Sequence, residues 1–332
     1  MDKISPFEMK RYAQKRIAET GLNLAGLSVF TEWANGPYLF VPLIAAWAGA
    51  NKVFAYSPVL SSSDAADCQL AKELIGKKED QICWVMPRFP RAGEADIVMN
   101  SGKVRPIDSY FINRMKPTAV IPMMMMPFEY REKDVDLEAC RQKEILYVGT
   151  DESSLLLSVG FKILKLLFEA GMAVWNEKFL IITDSQIGGY VVQVFNNLGI
   201  DIVWSINGHT SDWDGSYKTI DAVIFADFVN NERYDFGNIA KLVRENPFLK
   251  IINVRGNFDY VELKRNGFSI YPDVPPMLGH SPVNGEYLSY KILFELVILS
   301  LKAAEVAARC RLSGMGIEET KIAVIKNSPG IF

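Results

Sequence analysis

The polar side chains best placed for chemistry in this chain follow short apolar runs. Beyond the carboxyl end of a strand in an open parallel sheet is where ligands bind, so the residue that closes each run is informative. In the first half these are Glu32, Ser57, Asn100, Ser101 and the pair Asp151 and Glu152; in the second they are Thr183, Asp184, Ser185, Asn207, Asp227 and Arg255. The stretch FTEWANGPY places Glu32 just ahead of a Gly-Pro entry to an apolar helix, so its carboxylate and the amides near Gly36 can line a ligand crevice. The stretch NSGKVRPID gathers Asn100, Ser101, Lys103 and Arg105 in one loop, a cradle for an anion or a substrate carboxylate. The competing reading of that loop is a polar turn with solvated basic residues.

The segment KFLIITDSQIGGYVVQVFNNLGIDIVW has the strand, tight turn, helix and strand of a dinucleotide-binding unit. Gly188 stands where the third glycine of G-x-G-x-x-G allows close helix packing, and Thr183 and Ser185 replace the other two. The turn Thr183, Asp184, Ser185, Gln186, Ile187, Gly188 would hold cofactor phosphates through the Ser185 hydroxyl and the helix amides, with Asn207 and Asp227 at the ends of later strands. Against this, Asp184 repels phosphate if it points inward, and a Rossmann-like fold without a dinucleotide is the alternative. Only two histidines are present: His209 in a polar loop reads as solvent-exposed, and His280 in PPMLGHSP is either an acid/base or a surface or capping residue. Arg255 either serves a ligand or pairs with a neighbouring carboxylate.

These residues need elements to hold them. From Leu27 onward, β-branched and aromatic runs alternate with longer helical patterns, the signature of parallel sheets with crossover helices. LSVFTE, KVFAYS, ICWVM, ADIVMNS, TAVIPMMMM and EILYVGT read as strands, and PYLFVPLIAAWAGA, SDAADCQLAKELIG, PIDSYFINRMK and DLEACRQK as helices, with Pro37, Asp64 and Pro106 as N-terminal signals. Glu152 to Gly171 forms a long amphipathic connection, after which KFLIIT, IDIVWSI, DAVIFAD, LKIINVR and GFSIYP make a second set of strands. The fold class is therefore α/β, two Rossmann-like doubly wound parallel-sheet units joined by long helices. Residues 1–150, completed by the C-terminal helix and tail at 286–332, form a substrate-type unit, and 151–285 a nucleotide-binding-type unit, with the ligand expected in a cleft between them. The four methionines of PMMMMPFE fit a buried strand exit better than a ligand wall.

Composition narrows the function. With 332 residues the chain has room for about two domains of roughly 150 residues, and 49% hydrophobic content supports large cores. A net charge of -3 with both signs interspersed gives no pull toward nucleic acid or an anionic membrane. The four cysteines lie far apart without metal-ligand spacing, so neither a disulfide framework nor a zinc site is expected. The opening MDKISPFEMKRYAQKR has no apolar signal region, which places the protein in the cytoplasm, and the apolar stretch Tyr287 to Val306 carries Lys291, Glu295, Lys302 and Glu305 at near-helical spacing, as a core helix does. There is no phosphate loop, H-E-x-x-H, G-x-S-x-G elbow or calcium loop.

The order of units and linking helices, with DVDLEACRQKEILYVGT at the end of the first unit and IINVRGNFDYVELK in the second, resembles the D-isomer-specific 2-hydroxyacid dehydrogenases and their formate/glycerate dehydrogenase-like relatives. The resemblance implies NAD or NADP as cofactor, a small-molecule substrate, a homodimer, Arg255 as the substrate-carboxylate arginine and His280 as the proton donor. A cation and an acid/base of near-neutral pKa are what hydride transfer to a keto acid requires. The sequence diverges from the family: the glycine loop is degenerate, the Asn253 to Arg255 spacing is one residue short, and Asp273 is the nearest substitute for the acid that supports the histidine. The alternative is another adenine-containing ligand such as S-adenosylmethionine, or a non-catalytic sensor or partner subunit.

Overall fold

A computed structural model of the chain describes residues 5–34, 36–58, 64–85, 91–124, 126–127, 130–151, 153–183, 187–206, 219–226, 244, 246–274 and 287–332. In chain order the elements are α1 (Pro6–Thr20), β1 (Ser28–Glu32), α2 (Phe40–Trp47), β2 (Lys52–Tyr56), α3 (Asp64–Ile75), β3 (Ile82–Val85), β4 (Ile97–Val98), α4 (Ser109–Ile112), β5 (Val120–Pro122), α5 (Leu137–Gln142) and β6 (Leu146–Thr150). There follow α6 (Ser153–Glu169), β7 (Lys178–Thr183), α7 (Ile187–Asn197), β8 (Asp201–Ile206), β9 (Ala222–Ala226), β10 (Lys250–Arg255), α8 (Tyr260–Arg265), β11 (Ser269–Tyr271), α9 (Tyr290–Leu312), α10 (Ile317–Asn327) and β12 (Gly330–Ile331). They divide into two units, Met1–Glu152 with Tyr290–Phe332, and Ser153–Ser289. Both are α/β, each built on its own sheet.

In the first unit the strands run β3-β2-β1-β4-β5-β6-β12, parallel except for β12, which pairs antiparallel with β6. Such a sheet is apolar on both faces because helices cover both. Side chains alternate between two cores accordingly: Val29, Val53, Ile97 and Val120 face one, and Phe30, Phe54, Val98 and Ile121 the other. The first core is closed by α2 and by α9, whose Leu293, Phe294, Val297, Ile298 and Leu301 are buried at helical spacing. The charges that α9 carries are placed where partners await them. Glu295 accepts from Arg16 Nε at 2.6 Å and Tyr12 Oη at 2.5 Å on α1, and Glu305 accepts from Lys302 Nζ at 3.0 Å and the Asn23 amide at 3.0 Å.

Local structure differs from the sequence expectation in four places. The opening segment, to which the sequence pattern assigns no element, is a helix: the Ser5 hydroxyl accepts from the Phe7 amide, Pro6 opens the first turn, and Gly21 at φ 60° ends it. Pro106 does not start a helix. Ile107 is drawn into a bridge with Val135, and α4 starts at Ser109 because the Asp108 carboxylate caps the Phe111 amide at 2.8 Å. The return helix, expected from Glu286, is described from Tyr290 and ends at Leu312, and the chain after it forms a second helix, α10, and the antiparallel β12, which the sequence pattern does not separate from it.

In the second unit the described strands are all parallel, in the order β11-β10-β9-β7-β8. Helix α6 is buried along Leu156, Ile163, Leu166 and Leu167 and packs against α7. The approach is close at Gly160, where a Cβ would lie 2.8 Å from Val194 Cβ. Alanine in place of a helical glycine ordinarily adds about 1 kcal/mol. Here the overlap with a packed β-branched residue outweighs that gain, and Gly160→Ala is expected to lower stability by about 1–3 kcal/mol. Urea denaturation followed by hydrogen exchange in β7 checks this, and an unchanged or raised midpoint would contradict it.

Candidate functional site

The strand order of the first unit reverses direction between β1 and β4, and such a switch point opens a crevice at the carboxyl ends of the two strands. Glu32 closes β1 and Asn100 follows β4 by two residues, so the topology brings both to that crevice. Alternation along β1 puts Glu32 on the same face as Phe30. Both polar residues are buried, Glu32 at 5% and Asn100 at 0% exposure, so each needs partners.

The partners come from the loop after β4. Glu32 Oε2 accepts from the Lys103 amide at 2.7 Å. The Glu32 amide in turn donates to Ser101 Oγ at 3.3 Å. Glu32 thereby holds the loop at both Ser101, through its amide, and Lys103, through its carboxylate. Asn100 Nδ2 donates to the Met123 carbonyl at 3.1 Å beyond β5, while its Oδ1 accepts from Arg105 Nε at 2.9 Å. Arg105 also donates to the Asn100 carbonyl at 2.9 Å and meets Asp134 Oδ2 at 3.3 Å, and Asp134 is shared with Arg131 at 2.6 Å. Lys103 reaches the other way, its Nζ donating to Ser57 Oγ at 3.0 Å beyond β2.

Burial pushes the Glu32 carboxyl up from its ordinary range; the Lys103 amide, the Arg105 charge and the Gly102 amide oppose this. Burial likewise pulls Arg105 down, and Asp134 restores part of its affinity for the proton. All four residues that the sequence assigned to the substrate side, Glu32, Asn100, Ser101 and Arg105, meet in this network. Ser57 and Lys103, noted at a strand end and in the same loop, join them. The sequence did not single out Arg131 or Asp134. Their spacing was the one available signal, and nothing in the sequence ties them to Arg105 across the intervening strand β5.

In the second unit the switch point lies between β7 and β9. Buried Thr183 ends β7, and its Oγ1 donates to the Ala226 carbonyl at 2.9 Å at the end of β9, so the hydroxyl ties two strand ends together. Helix α7 starts at Ile187, and Gly188 is buried in its first turn. Asp184, Ser185, Gln186, Asn207, Asp227 and His280 lie outside the described residues, as does the Ile187 side chain. Arg255 ends β10 and is part-exposed, at a slip in register against β9 between Asn253 and Arg255. Bulges of this kind re-aim a side chain. Behind it, fully buried Asn253 donates to the Gly256 carbonyl at 3.2 Å and to Tyr260 Oη at 2.9 Å. Gly256 must lack a side chain, since a Cβ there would sit 2.6 Å from the Phe258 ring.

Among the described residues no group of acidic, histidine or cysteine side chains has metal-binding geometry, and no helix is long and apolar enough to cross a membrane. Cys83, Cys140 and Cys310 are free.

No protein-family model matches the chain, and no curated protein matches it in sequence. Solved structures do match its fold. A dipicolinate synthase subunit from Bacillus halodurans superposes with a TM-score of 0.52 at 10% identity, over 84% of this chain and 99% of that one. The TT0316 protein from Thermus thermophilus gives 0.50 at 14% identity, over 87% and 98%. A 2-hydroxyacid dehydrogenase from Ketogulonicigenium vulgare Y25 gives 0.47 at 12% identity, over 88% and 96%. The chain has the two-unit, Rossmann-like α/β fold that the first two of these share.

Two outcomes follow from the network. The folded chain holds the Glu32 proton more tightly than the unfolded chain does. That contribution is complete below the unfolded carboxylate pKa and is lost as pH rises through the raised folded value. Relative to Glu32→Gln, the native protein should therefore lose stability as pH rises above the ordinary carboxylate range of about 4, read from paired urea midpoints; a gap that stays constant as pH rises from there would refute the assignment. Asp134→Ala leaves Arg105 and Arg131 facing each other and should lower stability by about 3 kcal/mol, the low end for a buried pair because both guanidiniums are 21% exposed. A loss under about 0.5 kcal/mol in thermal or urea unfolding, the size of an ordinary surface change, would show that the triad does not brace the loop.

Proposed function

We propose that the chain is an NAD(P)-dependent oxidoreductase-like enzyme acting on a small carboxylate-bearing metabolite, with the second unit as the nucleotide side and the first as the substrate side. The observation that carries this reading is the buried polar network at the β1/β4 switch point: charged and amide side chains converge at the carboxyl ends of two strands whose faces are packed in apolar cores. Buried polar groups at such a place serve a ligand more readily than they serve stability.

The cofactor assignment draws its support from α7. Its eleven residues begin at Ile187, four positions after the last residue of β7 at the switch point of the second unit, and buried Gly188 allows the helix to lie close to the sheet. The first-turn amides of α7 would receive the phosphates, with Ser185 beside them. Thr183 would act on the strand ends, since its hydroxyl is committed to Ala226. When bound, the nicotinamide supplies or accepts hydride. On the protein side Arg255, at its bulge, would orient the substrate carboxylate, and His280 would exchange the proton, both in the roles the family resemblance implies.

A thermal-shift titration with NADH, NADPH, NAD, NADP and S-adenosylmethionine tests the reading. Ligand at about a hundred times its dissociation constant adds roughly 2.7 kcal/mol to stability. A rise with a nicotinamide nucleotide is expected. A rise with S-adenosylmethionine alone, or with none of the five, would overturn the proposal.

A further inference from the structure

The network at the β1/β4 switch point contains three cations, Lys103, Arg105 and Arg131, and two carboxylates, Glu32 and Asp134. The two arginines are not equivalent to the lysine. Arg105 has its Nε and one terminal nitrogen on Asn100 and the other terminal nitrogen on Asp134, and Arg131 lies on Asp134 as well. Their geometry is set by protein groups, and both hold the loop.

Lys103 differs in three respects. Its ammonium contacts a neutral hydroxyl, Ser57 Oγ at 3.0 Å, and among the described residues no carboxylate lies within ion-pair distance of it. Its backbone is fixed independently, because the amide is held by Glu32 at 2.7 Å. It is part-exposed, while Ser57 is buried at 1%. An ammonium has three donors in a tetrahedral array, so a single hydroxyl contact leaves two of them directed elsewhere. A cation anchored at its backbone, steered by a buried hydroxyl, and left without a carboxylate among the described residues is prepared for an anion from outside.

We propose that Lys103 is the anion contact of the first unit, receiving a carboxylate of the small-molecule substrate, with Ser57 as the positioning residue that aims it and Arg105 as a brace of the loop that does not touch the ligand. This deepens the functional reading above and rests on it for the substrate class. Lysine at this place acts as a point charge. It therefore accepts carboxylates of different length and angle, where a bidentate arginine fork would fix one geometry.

The test is isothermal titration of the full chain with oxalate, malonate and inorganic phosphate, in the native protein and in Lys103→Met, Lys103→Arg, Ser57→Ala and the surface control Arg141→Met. Binding of at least one carboxylate is expected, weakened about tenfold or more by Lys103→Met, which corresponds to about 1.4 kcal/mol. Lys103→Arg should restore most of it, Ser57→Ala should weaken it by a smaller factor, and Arg141→Met should leave it unchanged. Affinity should fall as salt is raised. Circular dichroism and the unfolding midpoint of each variant confirm that the fold is intact, and Lys103→Arg guards against misfolding of the methionine variant. Carboxylate binding indifferent to Lys103→Met, tight binding of phosphate alone, or no binding of any probe by the native protein would each overturn the proposal. The nucleotide titration separates the two claims. Lys103-dependent carboxylate binding without any nucleotide binding would leave this anion site standing and remove the dehydrogenase reading; nucleotide binding with Lys103-independent carboxylate binding would do the reverse.

Discussion

A parallel sheet has two apolar faces, and both must be taken out of water by segments distant in sequence. In the first unit that requirement is met late in the chain. Helix α9, more than a hundred residues after β6, returns to lay Leu293, Phe294, Val297, Ile298 and Leu301 over the face lined by Val29, Ile97 and Val120. Fully burying one such side chain contributes about 1.5–3 kcal/mol relative to leaving it exposed, so this helix determines whether the sheet can persist. The buried Glu305 and half-buried Glu295 of α9 fit the same constraint. Glu305 is admitted to the interior because Lys302, Arg309 and the Asn23 amide meet it, and Glu295 because Arg16 and Tyr12 do. Those contacts fix α1 to α9 and make the N-terminal helix part of the same body.

Once both faces are sealed, only the strand ends remain for polar groups. At the β1/β4 switch point the solution is ionic. Glu32 holds the backbone at Lys103, and that loop then directs Lys103 to Ser57 and Arg105 to Asn100 and Asp134. At the β7/β9 switch point the described residues show a hydroxyl of Thr183 donating to the Ala226 carbonyl. A charged crevice with a surplus cation suits a small anion, whereas a nucleotide phosphate is served by helix amides and is repelled by a nearby carboxylate.

The third strand end with unusual structure is that of β10. The slip in register before Arg255, the double donation by Asn253 and the steric need for Gly256 form one device. Asn253 ties the strand end to the turn and helix that follow, through Gly256 and Tyr260, and Gly256 leaves room for the Phe258 ring, which packs edge-on against Phe225 at 4.8 Å between centroids. Arg255 is thus mounted on a turn braced from beneath, which is how a loop residue acquires a fixed direction.

The alternation of apolar runs and helical patterns was enough, by itself, to determine the α/β class and the strands from LSVFTE to GFSIYP, because both periodicities are local properties of the chain. It also determined which residues stand at strand ends, and so identified Glu32, Asn100, Ser101 and Arg105 as a group. It did not determine strand order, since a parallel sheet is ordered by crossovers that leave no mark in the strands themselves. The switch points, and with them the meeting of Glu32 with the loop after Asn100 and of Thr183 with Ala226, were decided only in three dimensions. So was the division of labour among the cations. Lys103 and Arg105 read alike in NSGKVRPID, and they differ because Asp134, brought from beyond β5, takes the arginine while buried Ser57, beyond β2, meets the lysine. Local pattern fixes what each residue can do, and tertiary contact fixes which of those capacities is already used.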